Sequence, residues 1–263
     1  DKNLNQPLYS LGITGVFTKD LDIALLNNEI DIAVHSLKDV PTILPQNIEV
    51  SAVLERDFPQ DVLVRKSSSK NKDLSELKIA TSSLRRRAFW SEKFPNTQFS
   101  DIRGNVQTRL KKLEEGDFDA TLFSLAGIKR MEMELEYEML DFMISAPSQG
   151  VVAISSRVDD VETKAILQKI NHKTTQICVE IERNFLRTLE GGCTAPIGAI
   201  AVFEEHKIKF SGRLNSLDGS KTINVVEEFE YDDSENYGKK FAEFVLENGG
   251  KEMMEEIKKQ IKE

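Results

Sequence analysis

Hydrophobic and polar positions follow two rhythms along this chain, and the order in which they alternate outlines its architecture. Leu21, Ala24 and Leu25, with Ile23 and Leu26 beside them, recur at helical spacing behind Thr18, which can cap the segment, while Asp20 and Asp22 suit its first turn. Residues 31–36 then form a short apolar run that reads as a buried strand, delivering Ser36, Lys38 and Asp39 into a loop closed by Pro41, and a further strand fits residues 48–54. The same grammar repeats from Asp61: strands over 61–64 and 77–81, a helix capped by Ser82 or Ser83, and a strand over 99–103. Next come a helix with Val106, Leu110 and Leu113 in register, stopped at Gly116, a strand over 119–124, and Ala126–Arg130 leading away from it. Strands alternating with helices predict parallel β/α layers.

The charged stretch Glu55-Arg56-Asp57-Phe58-Pro59-Gln60 reads as a crossing between two such layers, and the apolar segment 151–155 as the strand that returns to the first, so that two crossings form a hinge. Helices are expected over 161–170 and 175–189, the second with Ile177, Ile181 and Phe185 on one face. Beyond it the rhythm becomes that of antiparallel strands, over 197–203, 207–214 and 221–231, with Asp218-Gly219 as a hairpin turn, followed by helices over 234–246 and 251–261. The fold class is therefore α/β with a small α+β unit at its C-terminal end.

Composition adds little until it is read locally. The chain has 263 residues, 40% of them hydrophobic, and no apolar run long enough to span a bilayer; its 35 basic and 44 acidic side chains leave a formal charge of −9. Against that acidic background Arg85, Arg86, Arg87, Lys93, Arg103, Arg109, Lys111 and Lys112 crowd into one stretch with only Glu92 and Asp101 opposing them. Ser36 to Asp39, Thr81 to Arg86 and Arg103 to Asn105 all fall at the C-terminal ends of expected parallel strands, where helix N-termini and guanidinium forks favour anions. The expected ligand is a polyanion of modest size. Nucleic acid fits worse, because no aromatic residues interleave with the cations as stacking platforms. Arg87, Lys111 and Lys112 carry, as the lesser reading, a solvated basic face.

Asp39, beside Lys38 at a strand end, can stabilise a developing cation or accept an N–H, or simply close a turn before Val40-Pro41. The three histidines are scattered without ligand spacing, so no metal site is expected, and the methionines at 131, 133, 139 and 143 read as packing. With two cysteines no disulfide framework is expected. Cys178 sits in a helical pattern, whereas Cys193 lies in Glu190-Gly191-Gly192-Cys193-Thr194-Ala195-Pro196, where glycines uncrowd the sulfur and Pro196 stiffens the exit. That is a presented thiol or a small apolar residue at a glycine-capped helix end.

Five stretches, in order, carry a resemblance. Val34-His35-Ser36-Leu37-Lys38-Asp39-Val40-Pro41, Thr81-Ser82-Ser83-Leu84-Arg85-Arg86, Arg103-Gly104-Asn105-Val106-Gln107-Thr108-Arg109-Leu110, Ala126-Gly127-Ile128-Lys129-Arg130 and Glu190-Gly191-Gly192-Cys193 resemble the porphobilinogen deaminases, also called hydroxymethylbilane synthases. The resemblance implies a transferase of tetrapyrrole biosynthesis. Its first two domains resemble two-lobed periplasmic binding proteins and are discontinuous, here 1–55 with 147–170 and then 56–146, with a third domain over 171–263. It implies a dipyrromethane held by a thioether to Cys193, onto which four porphobilinogens are joined head to tail with loss of ammonia before water releases the linear tetrapyrrole.

On the same ground Asp39 and Lys38 are the catalytic candidates, Asp39 stabilising the cation formed as ammonia leaves. Ser36, Thr81, Ser82, Ser83, Arg85, Arg86, Arg103, Gly104 and Asn105 join them around the cofactor, and Arg109, Arg130, Gln149 and Phe17 are the substrate-binding candidates. A cytoplasmic monomer acting on a small molecule, without nucleic acid, membrane or metal, is expected. The family's first strand and helix, roughly 45 residues with their connections, would precede Asp1; Thr14 stands where a lysine is common and Ser148 where a glycine is frequent. The competing reading is a non-catalytic two-lobed binder of an organic dianion, which shares the arginines and hinge but needs neither Asp39 nor a reactive thiol.

Overall fold

The computed structural model describes residues 18–189 and 195–262. Helix α1, Lys19–Leu26, begins where the sequence places it, but Thr18 does not cap it: its own backbone is helical and its Oγ1 donates to Asp22 Oδ2 at 2.9 Å. The chain then enters β1, Ala33–Ser36, passes through one tight turn at Leu37–Asp39, and forms β2, Ile48–Val53. Strand β1 is shorter than expected and is not buried throughout, since Val34 is 56% exposed.

The second layer holds β3, Asp61–Arg65; β4, Ile79–Ala80; α2, Leu84–Lys93; β5, Phe99–Ser100; α3, Val106–Glu115; β6, Ala120–Ser124; α4, Leu125–Arg130; and β7, Glu138–Met139. Strand β8, Val152–Arg157, returns to the first layer and lies between β1 and β2, antiparallel to both. The expectation of purely parallel layers is therefore corrected. Strands β1 and β2 do run parallel to each other, but the returning β8 occupies the place between them. The five-stranded sheet, in order β5-β4-β6-β3-β7, is parallel only at β5-β4-β6; β3 arrives from the crossing and pairs antiparallel with β6 and β7. Alternation of helix and strand reports the crossover, not which strand is inserted into it.

Helix α5, Val161–Leu167, and the long α6, Lys173–Thr188, lead into a third sheet of β9, Ile197–Glu204, β10, Lys207–Asn215, and β11, Thr222–Glu230, all antiparallel. Helices α7, Tyr237–Val245, and α8, Lys251–Lys262, cover it together with α6, around Ile181, Phe185, Phe210, Ala199 and Val245. A wide turn separates α7 from α8, because Gly249 takes φ +98°. The third sheet also reaches the second layer. A Cβ on Gly219 would lie 2.5 Å from Ala88 O, and Asn215 Nδ2 donates to Glu92 Oε2 at 2.8 Å, so the hairpin presses on the back of α2. The helix that carries Arg85 and Arg86 is thus held from behind.

Candidate active site

The turn after β1 is anchored from two sides. Leu37 is buried and its N–H donates to Val151 O at 2.9 Å, and Arg183 of α6 donates to Val40 O at 3.0 Å and Pro41 O at 2.6 Å. This leaves Lys38 and Asp39 pointing out of a fixed backbone. Lys38 Nζ donates to Gln149 Oε1 at 3.2 Å. Burial, first, and the nearby Arg86 bring the Lys38 pKa down from 10.5 to about 8, against the opposing pull of Asp39 and Asp61. Asp39 meets water on its open side, yet protein crowds it closely enough that lost solvation raises its pKa, while Lys38, His35 and Ser36 draw it back.

Behind Lys38 sits a carboxylate that the sequence reading took only as the start of a strand. Asp61, with no exposed surface, accepts from Arg85 Nη1 at 2.6 Å through Oδ2, and from Arg86 Nε at 2.9 Å and Nη2 at 2.7 Å through Oδ1. Gln149 Nε2 approaches the same Oδ1 at 3.3 Å. Two guanidiniums hold the Asp61 pKa well below the usual carboxylate range despite its burial. Arg86 Nη1 also donates to Leu122 O, so this arginine is bonded at all three nitrogens, whereas among the described residues Arg85 commits only Nη1, to Asp61 and to Ile144 O. The two residues that looked equivalent in sequence differ: Arg86 is braced and Arg85 keeps nitrogens to offer.

Arg109 joins this group from α3, donating from Nη2 to Leu122 O at 2.6 Å and Thr121 Oγ1 at 3.1 Å and lying over the Phe123 ring at 4.3 Å. Its Nε is buried without a hydrogen bond among the described residues, and burial together with Arg86 lowers its pKa to about 9. Ser83 caps α2, accepting from Arg86 N at 3.4 Å. Ser82 instead bonds Ile102 at N and O, both at 3.0 Å, and Thr81 Oγ1 accepts from Ser83 N. Asn105 caps α3 through Thr108 N at 2.8 Å, behind Gly104 at φ +121° and Arg103, whose carbonyl accepts from Lys112 Nζ.

Ser36, Lys38, Asp39, Arg85, Arg86, Arg109 and Gln149 belong to this one neighbourhood. Arg130 lies at the crossing, donating to Gly150 O at 2.7 Å and pairing with Asp57 at 3.5 Å. Arg87 is tied to Thr81 O and Asp101, and Lys111 to Glu115, as a solvated face would be. Cys193 and Phe17 lie outside the described residues. No group of metal-ligating side chains occurs among the described residues, and no helix there is long and apolar enough to cross a membrane.

Three charged residues that brace this neighbourhood are not evident from sequence motifs. Asp61 is the acid that opens an apolar strand, Glu182 stands on the apolar face of α6 between Cys178 and Phe185, and Arg183 follows it. A charge at an apolar position was the available signal. The neighbourhood also fits an anionic group. Lys38, Arg85, Arg86 and Arg109 outnumber Asp39 and Asp61, and a buried guanidinium N–H is left to donate.

The family model "Porphobilinogen deaminase, dipyromethane cofactor binding domain" matches residues 1–165, and "Porphobilinogen deaminase, C-terminal domain" matches 176–247. A probable porphobilinogen deaminase of Methanocaldococcus jannaschii is 51% identical over 209 residues, 78% of this chain and 70% of that protein. The porphobilinogen deaminase of Desulfitobacterium hafniense is 40% identical over 262 residues, 98% of this chain and 84% of its own length. Among solved structures, the L-cystine solute receptor of Neisseria gonorrhoeae has a TM-score of 0.33 at 17% identity, covering 67% of this chain and 80% of that one. At that score the likeness is loose, and it is the match across both parts of the sequence that decides: this chain belongs to the porphobilinogen deaminase family.

Proposed function

We propose that the group around Lys38 and Asp39 is where this chain carries out its family's reaction, the stepwise joining of four porphobilinogens with loss of ammonia, and that its arginines hold the carboxylates of the growing chain. Each pyrrole unit carries an acetate and a propionate, so the product lengthens as a polyanion. Arg85 and Arg109 offer N–H groups to it that are uncommitted among the described residues, and Lys38 a compact charge. Arg86 acts by fixing the field around them. Ser36, Thr81, Ser82, Ser83, Arg103, Gly104 and Asn105 shape the strand ends around the dipyrromethane, and Gln149 orients Lys38. Arg130, at the crossing, meets the far end of the chain. A dipyrromethane held at Cys193 would supply the terminal pyrrole carbon for the first unit only, and each later unit would join the terminal pyrrole of the chain already grown.

Asp39 is the residue placed to stabilise positive charge as ammonia departs, since its carboxylate is crowded by protein and open to the site on one side. The observation that carries this reading is the excess of buried cations facing that single open acid. Catalysis then consists of positioning and electrostatics. The division into 1–55 with 147–170, 56–146 and 171–263, the cytoplasmic location and the monomeric state belong to the same proposal.

Intact denatured mass spectrometry tests it. Wild-type protein supplied with porphobilinogen is expected to carry a covalent excess of two pyrrole units, absent from Cys193→Ser. A wild type that stays at bare chain mass overturns the reading in favour of a non-catalytic binder of organic dianions.

A further inference from the structure

The connections of Asp61 reach further than a buried ion pair needs to. One carboxylate receives three hydrogen bonds from Arg85 and Arg86, at 2.6, 2.7 and 2.9 Å, and a fourth contact from Gln149 at 3.3 Å. Gln149 uses its other end to accept from Lys38 Nζ at 3.2 Å, and its amide nitrogen also donates to Pro59 O at 2.6 Å, which settles its orientation. The amide can donate to Asp61 and accept from Lys38 only in this sense. A continuous hydrogen-bonded line therefore runs from the α2 arginines through Asp61 and Gln149 to the lysine beside Asp39. Asp61 is the first residue of β3, held between the β6 and β7 strands, so the line starts from a rigid element.

We propose that Asp61 is a positioning residue for the reaction: it fixes Arg85 and Arg86 and, by way of Gln149, keeps the Lys38 ammonium charged and aimed at the site. This rests on the site reading above. Removing both partners' constraints would be costly for different reasons. Arg85 and Arg86 are nearly buried, at 6% and 7% exposure, and without a counter-charge they would repel each other and Lys38 together. The groups facing Lys38 are Arg85 and Arg86 of α2, Asp61 of β3, its own neighbour Asp39, and the neutral Gln149. Of these, Asp61 and Asp39 alone favour the charged lysine. Replacing Asp61 by a neutral isostere leaves two guanidiniums opposed by Asp39 only, and the Lys38 pKa must fall.

The test reads Lys38 directly, without substrate. Amine labelling at a series of pH values, followed by peptide mass spectrometry, gives the Lys38 labelling midpoint in wild type, Asp61→Asn, Asp61→Glu and Gln149→Leu. The expected midpoint lies about one unit lower in Asp61→Asn and close to wild type in Asp61→Glu, with Lys111 and Lys93 as unmoved internal references. Gln149→Leu, which cuts the line while leaving the ion pair, is expected to shift it in the same direction and keeps the test decisive should Asp61→Asn fail to fold. An unmoved Lys38 midpoint in folded variants overturns the proposal. Because no turnover is measured, this outcome is separate from loss of the site reading, which the covalent mass decides.

Discussion

Lys38 and Asp39 are neighbours in sequence whose titrations are pushed toward each other. Burial lowers the lysine to about 8 and raises the carboxyl, so the state with both charged occupies a narrower pH window than free side chains would give. Activity should rise as Asp39 loses its proton, at a pH above the ordinary carboxylate value, and fall as Lys38 loses its own near 8. Lys38→Arg starts from a more basic group in the same surroundings, so the alkaline limb of kcat/KM is expected to move up from around pH 8; a limb that stays there belongs to another group. Asp39 and Lys38 were legible as a pair because the strand-end loop exposed them in sequence. That Arg85 offers nitrogens while Arg86 is braced was not, since adjacent residues in a helix differ only in which partner the tertiary structure sets beside each.

Among the elements, the returning segment 148–150 shows what a single backbone demand does. Ser148 takes φ +66° with its Oγ buried and unbonded among the described residues, and Gly150 takes φ +86° where a Cβ would lie 3.0 Å from Asp57 O and Phe58 O. A glycine at 148 would suit this backbone, which is left-handed there. Ser148→Gly removes left-handed strain of about 1 kcal/mol and a buried hydroxyl, against an entropic loss of about 0.5–1 kcal/mol. The urea midpoint is expected to rise, and a drop would mean the hydroxyl holds something. The approximate helix spans, a cap for α2 at Ser82 or Ser83 and the Asp218-Gly219 hairpin were readable, because each depends on residues within one turn of chain; that Ser83 is the α2 cap and Asn105 the α3 cap was added by the structure. Pairing of β8 between β1 and β2 was not, since strand order depends on contacts more than a hundred residues apart.

At the scale of the whole molecule, one buried acid ties the crossings to α6. Glu182, fully buried, accepts from Arg56 Nη2 at 2.6 Å, Ser148 N at 2.6 Å and Ala201 N at 2.7 Å, and Arg56 also donates to Gln149 O at 3.2 Å. Both crossing strands and the third sheet thus meet at a single carboxylate. Arg56→Gln leaves that charge buried and short of its counter-ion, at a cost of about 3 kcal/mol. The double variant Arg56→Gln with Glu182→Gln should recover part of this in a denaturant cycle; additive losses would show that the two side chains act independently. The family, the strand-helix rhythm, the cation cluster and the Lys38-Asp39 pair were determined by the sequence alone, because periodicity, local capping and short motifs are properties of neighbouring residues. The antiparallel insertion of β8, the burial of Asp61 among the arginines and the convergence on Glu182 were decided only by tertiary structure, because the worth of a charge is set by what the fold packs around it.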